Sequence, residues 1–139
     1  MSVFVDTNVF LAATDAGESQ NARARDVLIR ITGDGPFTTD HVLVEAWAML
    51  RKRLGWDTAE RFLANFRGSP VAVEPVGAAD LERAVAIGEL WADQKFDLVD
   101  RTSMAVMERL GCSSVASFDR DFGVYRYGPD RRLAFDVIT

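Results

Sequence analysis

Four carboxylates stand where their type and setting call for an explanation: Asp6, Glu45, Asp100 and Asp119. Asp6 closes the apolar run Val3-Phe4-Val5, at what reads as the carboxyl end of a first strand. Ligands gather at such ends in open α/β sheets, although Asp is equally a favoured N-cap for a helix that follows. Glu45 interrupts Val42-Leu43-Val44-Glu45-Ala46-Trp47-Ala48-Met49-Leu50, where every other residue is apolar. A helix apolar on nearly all sides is expected to be buried on most of them. A carboxylate there must be paired, hydrogen-bonded, protonated or bound to a metal, because an isolated buried charge is costly. An arginine partner, or a reach past its neighbours to water, would serve it as well.

Asp100 follows Asp97 by three residues in Lys95-Phe96-Asp97-Leu98-Val99-Asp100-Arg101-Thr102-Ser103. A cap at Asp97 with Asp100 in the first helical turn accounts for both acids through the macrodipole, as well as catalysis does. Asp119 follows Ser117-Phe118 at the end of an expected strand and by itself is an ordinary turn aspartate. Like Asp6, however, it falls at a strand's carboxyl end. If the two strands are parallel neighbours, their carboxylates converge, and like charges held together need a proton or cation between them. Hard oxygen ligands of this kind favour Mg²⁺ or Mn²⁺.

The remaining composition narrows the chemistry. With one histidine, His41, sites built from several imidazoles are out of reach, as are most zinc hydrolases and histidine-paired nucleophiles. One cysteine, Cys112, allows no internal disulfide. The formal net charge of −5 argues against nonspecific binding of nucleic acid, which shows as a basic excess. It leaves open a nuclease whose site is itself acidic. Arg51, Lys52 and Arg53 read first as a solvated helix end, and second as a steering patch for a polyanion. Trp47, Trp56 and Trp91 read as packing rather than as base-stacking surfaces. No apolar run approaches the roughly 18 to 20 residues of a membrane span, and the start of the chain lacks the pattern of a signal peptide. A cytoplasmic protein without membrane association is expected.

The elements that must position these acids alternate. Strands are expected at Val3–Val5, Phe37-Thr38, Val71–Val73, Ser114–Phe118 and Leu133–Val137. Helices are expected over Thr7–Thr14, from a Ser19 cap to about Ile31, from a Thr39 or Asp40 cap to Leu54, and from Asp57 or Thr58 to Gly68. Two more follow, from about Ala78 to Ala92 with Leu81, Val85, Gly88 and Trp91 near one face, and from near Val99 to Gly111. Such alternation implies a parallel sheet covered on both sides. At 139 residues, 48% of them apolar and 27% charged, the chain reads as a single α/β domain over residues 1–139.

Four segments together resemble the PIN-domain family, and within it the toxin half of VapBC-type toxin–antitoxin pairs. They are Val5-Asp6-Thr7-Asn8-Val9, Glu45 in the third helix, Phe96-Asp97-Leu98-Val99-Asp100-Arg101-Thr102-Ser103-Met104-Ala105-Val106-Met107, and Ser117-Phe118-Asp119-Arg120-Asp121-Phe122. The resemblance covers essentially the whole chain and implies a three-layer α/β/α sandwich with a central, mainly parallel sheet. It implies hydrolysis of RNA at a carboxylate site for Mg²⁺ or Mn²⁺, with Asp6, Glu45, Asp100 and Asp119 as the acidic set. Asp6, Asp100 and Asp119 would hold one or two ions, whose role is to polarise the scissile phosphate and acidify the attacking water. Glu45 would complete the shell or accept a proton. Asp97 and Asp121 would stand outside the ligand set, while Asn8 and Ser103 match positions that orient the site by hydrogen bonds. Arg101 departs from the small residue common at that place. A cognate antitoxin and a homodimer, formed through apolar residues of the early helices, are the implied partners beside the RNA substrate.

Two other readings compete. A phosphoacceptor domain also places an aspartate after an early strand, but the phosphatases of that kind want a second Asp where Asn8 stands. A receiver wants a lysine after a late strand, and neither Lys52 nor Lys95 follows one. A PIN fold kept only for binding RNA or protein would be marked by a lost acid, and all four are present. A housekeeping RNA-processing nuclease would carry the same residues as a toxin.

Overall fold

The computed structural model describes residues 2–139. Five strands form a parallel sheet in the order β3-β2-β1-β4-β7. They are β1 (Val3–Val5), β2 (Pro36–Thr39), β3 (Ala72–Glu74), β4 (Ser114–Ala116) and β7 (Asp136–Ile138). Helices α1 (Thr7–Thr14), α2 (Asn21–Arg30), α3 (Asp40–Leu54), α4 (Trp56–Arg67), α5 (Ala78–Leu90) and α6 (Leu98–Leu110) flank the sheet. A single turn, α7 (Asp121–Val124), and a small antiparallel hairpin of β5 (Arg126–Tyr127) and β6 (Leu133–Ala134) complete the molecule. This is the α/β/α layering that the alternation implied.

The central strand β1 is buried along its length and pairs with β2 on one side and β4 on the other. From β1 the chain winds outward through β2 to β3, then returns to the opposite side for β4 and β7. The winding therefore reverses between β1 and β4, with Val5 opposite Ala116. A crevice opens at the carboxyl ends of strands where the order reverses, and the residues that follow β1 and β4 are Asp6 and Ser117.

Local chemistry explains most boundaries. Thr39 caps α3, its hydroxyl accepting from Val42 N at 3.1 Å, and Gly55 ends it at a φ of 97° that L side chains rarely adopt. Asp97 caps α6, accepting from Val99 N at 3.0 Å, and Gly111 terminates it in the left-handed region.

Three expectations are corrected, and the face of α5 that carries Leu81 and Val85 proves to be turned outward. Ser19 does not cap α2, which begins at Asn21 after Gln20 with no side-chain cap bond. The fourth helix starts at Trp56, ahead of the expected Asp57 or Thr58. Helix α5 turns Asp80, Ala84 and Ile87 inward, leaving Leu81 and Val85 exposed. Finally, Leu133–Val137 is not one strand. Phe135 is buried, with its ring stacked on Tyr127 at 4.7 Å, and the chain breaks there, giving β6 to the hairpin and β7 to the main sheet.

Arg101, the residue that departs from the pattern, points away from the acids. Its Nε and Nη1 donate to the carbonyls of Phe96 and Ala84, both at 3.1 Å. The guanidinium lies across Gly88 of α5, with its carbon 3.0 Å from where a Cβ would stand. Gly88 lets the two helices close over this arginine.

Candidate active site

Asp6 stands at the carboxyl end of β1 and takes the capping role open to it. It is the N-cap of α1, and its buried carboxylate is tied down by three donors. Thr7 N donates to Oδ1 at 2.8 Å, while Asn8 Nδ2 at 3.0 Å and Ser117 Oγ at 2.8 Å donate to Oδ2. Burial is the strongest influence on this carboxyl and pushes its pKa up to about 7. The Ser117 and Thr7 bonds oppose the rise, while the charges of Asp119 and Glu45 add to it.

Asp100 stands at the third position of α6, on the first turn behind its Asp97 cap. It is 9% exposed, and among the described residues no donor reaches its carboxylate. Burial raises its pKa to about 9, reinforced in order by Asp6, Asp119, Asp121 and Asp97. Two carboxyls lifted this far by burial and by neighbouring acids make the pocket costly to ionise without a cation.

The tightest grouping is not the one the sequence suggested. Asp100, Asp119 and Asp121 each bring a carboxylate oxygen within 4.8 Å of the other two. Asp121, expected to stand outside the ligand set, is inside this trio, and Asp6 lies beside it. Asp119 also shapes the loop, accepting from Asp121 N at 2.9 Å. Burial raises the Asp121 carboxyl, with Asp119 adding to the rise and Arg120 opposing it. Asp97 is exposed at the rim.

Glu45 reaches the site differently from the expectation. Helix α3 is not buried on most sides, since Val44 is 66% exposed and Ala48 also faces outward. Glu45 is half-buried, with its carboxyl raised chiefly by burial, against the pull of the nearby Thr7 hydroxyl and with help from Asp97. That hydroxyl is the one buried side-chain polar atom among the described residues without a hydrogen-bond partner.

The two orienting positions differ. Asn8 holds the site together, donating to Asp6 while its Oδ1 accepts from Phe118 N at 3.0 Å. Ser103 does not orient an acid, because its hydroxyl donates to Val99 O at 2.8 Å within its own helix. The orienting hydroxyl is that of Ser117, which donates to Asp6 and accepts from Asp119 N at 3.0 Å. Its signal in the sequence is a small hydroxyl closing an apolar strand two residues before an acid.

These donors fit a divalent cation. They are hard carboxylate oxygens, crowded enough that the charges of Asp119 and Asp121 help raise the Asp100 carboxyl, beside an orphaned hydroxyl. The Arg51-Lys52-Arg53 triplet ends α3 in full solvent, and Trp91 packs on Phe96 and Tyr125. No helix among the described residues is long and apolar enough to cross a membrane.

Comparison with known proteins shows the family. Residues 3–126 match the PIN domain family. The 23S rRNA-specific endonuclease VapC20 of Mycobacterium tuberculosis is 34% identical over 124 residues, covering 86% of this chain and 91% of the relative. Ribonuclease VapC26 of the same organism is 25% identical over 118 residues, covering 85% and 87%. The crystal structure of VapC20, described as a Sarcin-Ricin loop cleaving toxin, superposes with a TM-score of 0.78 at 30% identity, over 88% of this chain and 93% of that one. A toxin–antitoxin complex from Klebsiella pneumoniae shares the fold, with a TM-score of 0.60 at 15% identity over 99% and 96% of the two chains. By sequence and by fold alike, the chain belongs to the PIN domain family.

Proposed function

We propose that this protein is a metal-dependent endoribonuclease and the toxin of a toxin–antitoxin pair, acting in the cytoplasm. The observation that carries the reading is the convergence of Asp100, Asp119 and Asp121 within 4.8 Å, beside the buried Asp6. The 34% identity to an rRNA endonuclease, VapC20, supports RNA as the substrate class. An antitoxin is the expected partner, and a second copy of the chain is a further one, for which Ile29 of α2 and Val44 of α3 offer exposed apolar contacts.

Asp100, Asp119 and Asp121 would hold Mg²⁺ or Mn²⁺, with Asp6 completing the set. A bound ion of this kind supplies Lewis acidity to the scissile phosphate and to the attacking water. Asn8 and Ser117 keep Asp6 in one orientation, so no side-chain reorganisation is needed when substrate arrives. Glu45, half-buried with a raised pKa, is placed to take a proton from the attacking water. Thr7 Oγ1, buried beside Glu45, would donate to its carboxylate.

The test is cleavage of RNA by purified protein. Activity is expected with Mg²⁺ or Mn²⁺, is abolished by EDTA, and is lost in Asp6→Asn while the protein stays folded. Full activity in that variant removes the assignment. Growth arrest on expression, relieved by a neighbouring gene, tests the toxin role separately.

A further inference from the structure

Three cations, Arg51, Lys52 and Arg53, end helix α3, all exposed and none within salt-bridge distance of a carboxylate among the described residues. The macrodipole accounts for cations at that end. It does not account for the indole beside them. Trp56 is 56% exposed, in a chain that buries most of its other aromatic rings. An indole left in water forgoes a large burial gain, so its position needs a reason.

The ring is held, not dangling. Trp47 meets it edge-on at 5.7 Å and 88°. Trp47 itself packs against the core, and its Nε1 donates to Glu60 Oε2 at 3.2 Å. The Arg51 guanidinium lies 5.6 Å from the Trp56 centroid. Arg51 lies over one face of the ring. A fixed, exposed indole backed by one cation, with Lys52 and Arg53 beside it, is the combination that binds an unstacked nucleobase on its other face and its phosphates. Asp57 and Glu60 offset part of the charge but leave the run of three intact.

The position relative to the acids fits as well. Glu45 and Lys52 are seven residues, or two helical turns, apart on α3, which puts them on the same side and about 10 Å apart along the axis. One helix thus carries an acid of the cleavage pocket in its middle and the basic run at its end. In a protein of net charge −5, such a run decides where a polyanion can approach.

We propose that Trp56, with Arg51, Lys52 and Arg53, forms a stacking platform that holds one unpaired base of a single-stranded or looped RNA outside the acidic pocket. This rests on the nuclease reading and deepens it, since the platform selects substrates with a splayed base at a fixed distance from the cut.

The test uses a labelled single-stranded RNA of about 12 nucleotides. Affinity is measured on the Asp6→Asn protein, and cleavage kinetics on the otherwise unaltered one. Trp56→Ala is expected to weaken binding and raise KM about 10-fold with kcat nearly unchanged. Trp56→Phe should recover most of the loss, whereas Trp56→Leu, apolar but without a π face, should not. Lys52→Gln with Arg53→Gln, both at exposed positions, should make binding less sensitive to salt. Unchanged affinity in Trp56→Leu, or an unchanged salt slope, overturns the proposal. So does a Trp56→Ala protein that keeps its RNA affinity but loses affinity for its antitoxin, which would assign the patch to protein. RNA binding through Trp56 without any cleavage would defeat the nuclease reading alone, and cleavage indifferent to Trp56 would defeat this one alone.

Discussion

The Ser117 hydroxyl donates to Asp6 Oδ2 at 2.8 Å, joining the ends of two adjacent parallel strands across 111 residues of sequence. It lowers the pKa of the carboxyl that burial raises. Ser117→Ala should therefore move Asp6 titration upward and shift the acid limb of the activity profile to higher pH. Activity at neutral pH should fall roughly 10-fold to 100-fold, as for other groups that orient a metal-binding acid. Ser103→Ala serves as the control. Its hydroxyl is spent on the Val99 carbonyl, and its activity profile should match that of the unaltered protein. Parallel pH–rate measurements on both variants decide the matter.

Asp6→Asn keeps a good helix cap, because Asn serves at an N-cap as well as Asp does. The fold should survive, while cleavage falls on the order of 100-fold or more, as when an acid central to a metal site is neutralised. Circular dichroism and RNA cleavage on one preparation provide the check.

Stability should depend on pH in a direction set by the raised carboxyls. Asp6 at about 7 and Asp100 at about 9 bind protons more tightly folded than unfolded. Their contribution is complete below the unfolded value near pH 4 and is lost as pH rises through 7 and then 9. In EDTA the melting temperature should fall between pH 5 and pH 9. Mg²⁺ or Mn²⁺ should restore it at the alkaline end by binding only the folded state. Asp100→Asn should raise metal-free stability at pH 8 by on the order of 1 to 3 kcal/mol, since it removes the cost of holding that carboxyl protonated in the fold at a pH where the unfolded chain ionises it. A metal-free melting temperature that climbs with pH would contradict the crowded-carboxylate description.

Asp121→Asn separates the two possible ligand sets. If the trio of Asp100, Asp119 and Asp121 is the binding set, Mn²⁺ affinity measured by calorimetry should drop about 10-fold or more. An affinity equal to that of the unaltered protein returns the site to Asp6, Asp100 and Asp119.

Gly88 and Arg101 should be energetically coupled. A methyl at position 88 displaces the guanidinium from the carbonyls of Ala84 and Phe96. That loss, roughly 1 to 3 kcal/mol for two charge-assisted bonds, outweighs the gain of about 1 kcal/mol from removing a helical glycine. Gly88→Ala alone should thus be mildly destabilising, yet stabilising in an Arg101→Ala background. Chemical denaturation of the four proteins of the cycle measures the coupling.

Much of this arrangement was legible in the chain before any coordinates. Strand-terminal acids at Asp6 and Asp119 report a sheet's carboxyl edge, and alternation reports that the sheet is parallel; pairing of β1 with β4 then makes them neighbours. Asp97 and Asp100 are readable because capping chemistry is local. What escaped the sequence is what depends on three-dimensional aim. Asp121 enters the trio through the tight turn that Asp119 itself stabilises, and no periodicity encodes that turn. Ser117 and Ser103 are both hydroxyls near acids, and only the geometry tells which one is occupied by its own helix. The break at Phe135 was hidden because a buried aromatic looks the same in a continuous strand as at a corner between two.

The central place of β1 has a consequence for synthesis. Strand β1 is flanked on one side by β4, which starts more than 100 residues later at Ser114, and the acids lie at positions 6, 45, 100, 119 and 121. Long-range parallel pairing of this kind forms late, because the loop must close before the contacts repay it. A growing chain therefore carries these carboxylates dispersed until residue 121 has been made, and a product cut short of β4 cannot bring Asp100, Asp119 and Asp121 together.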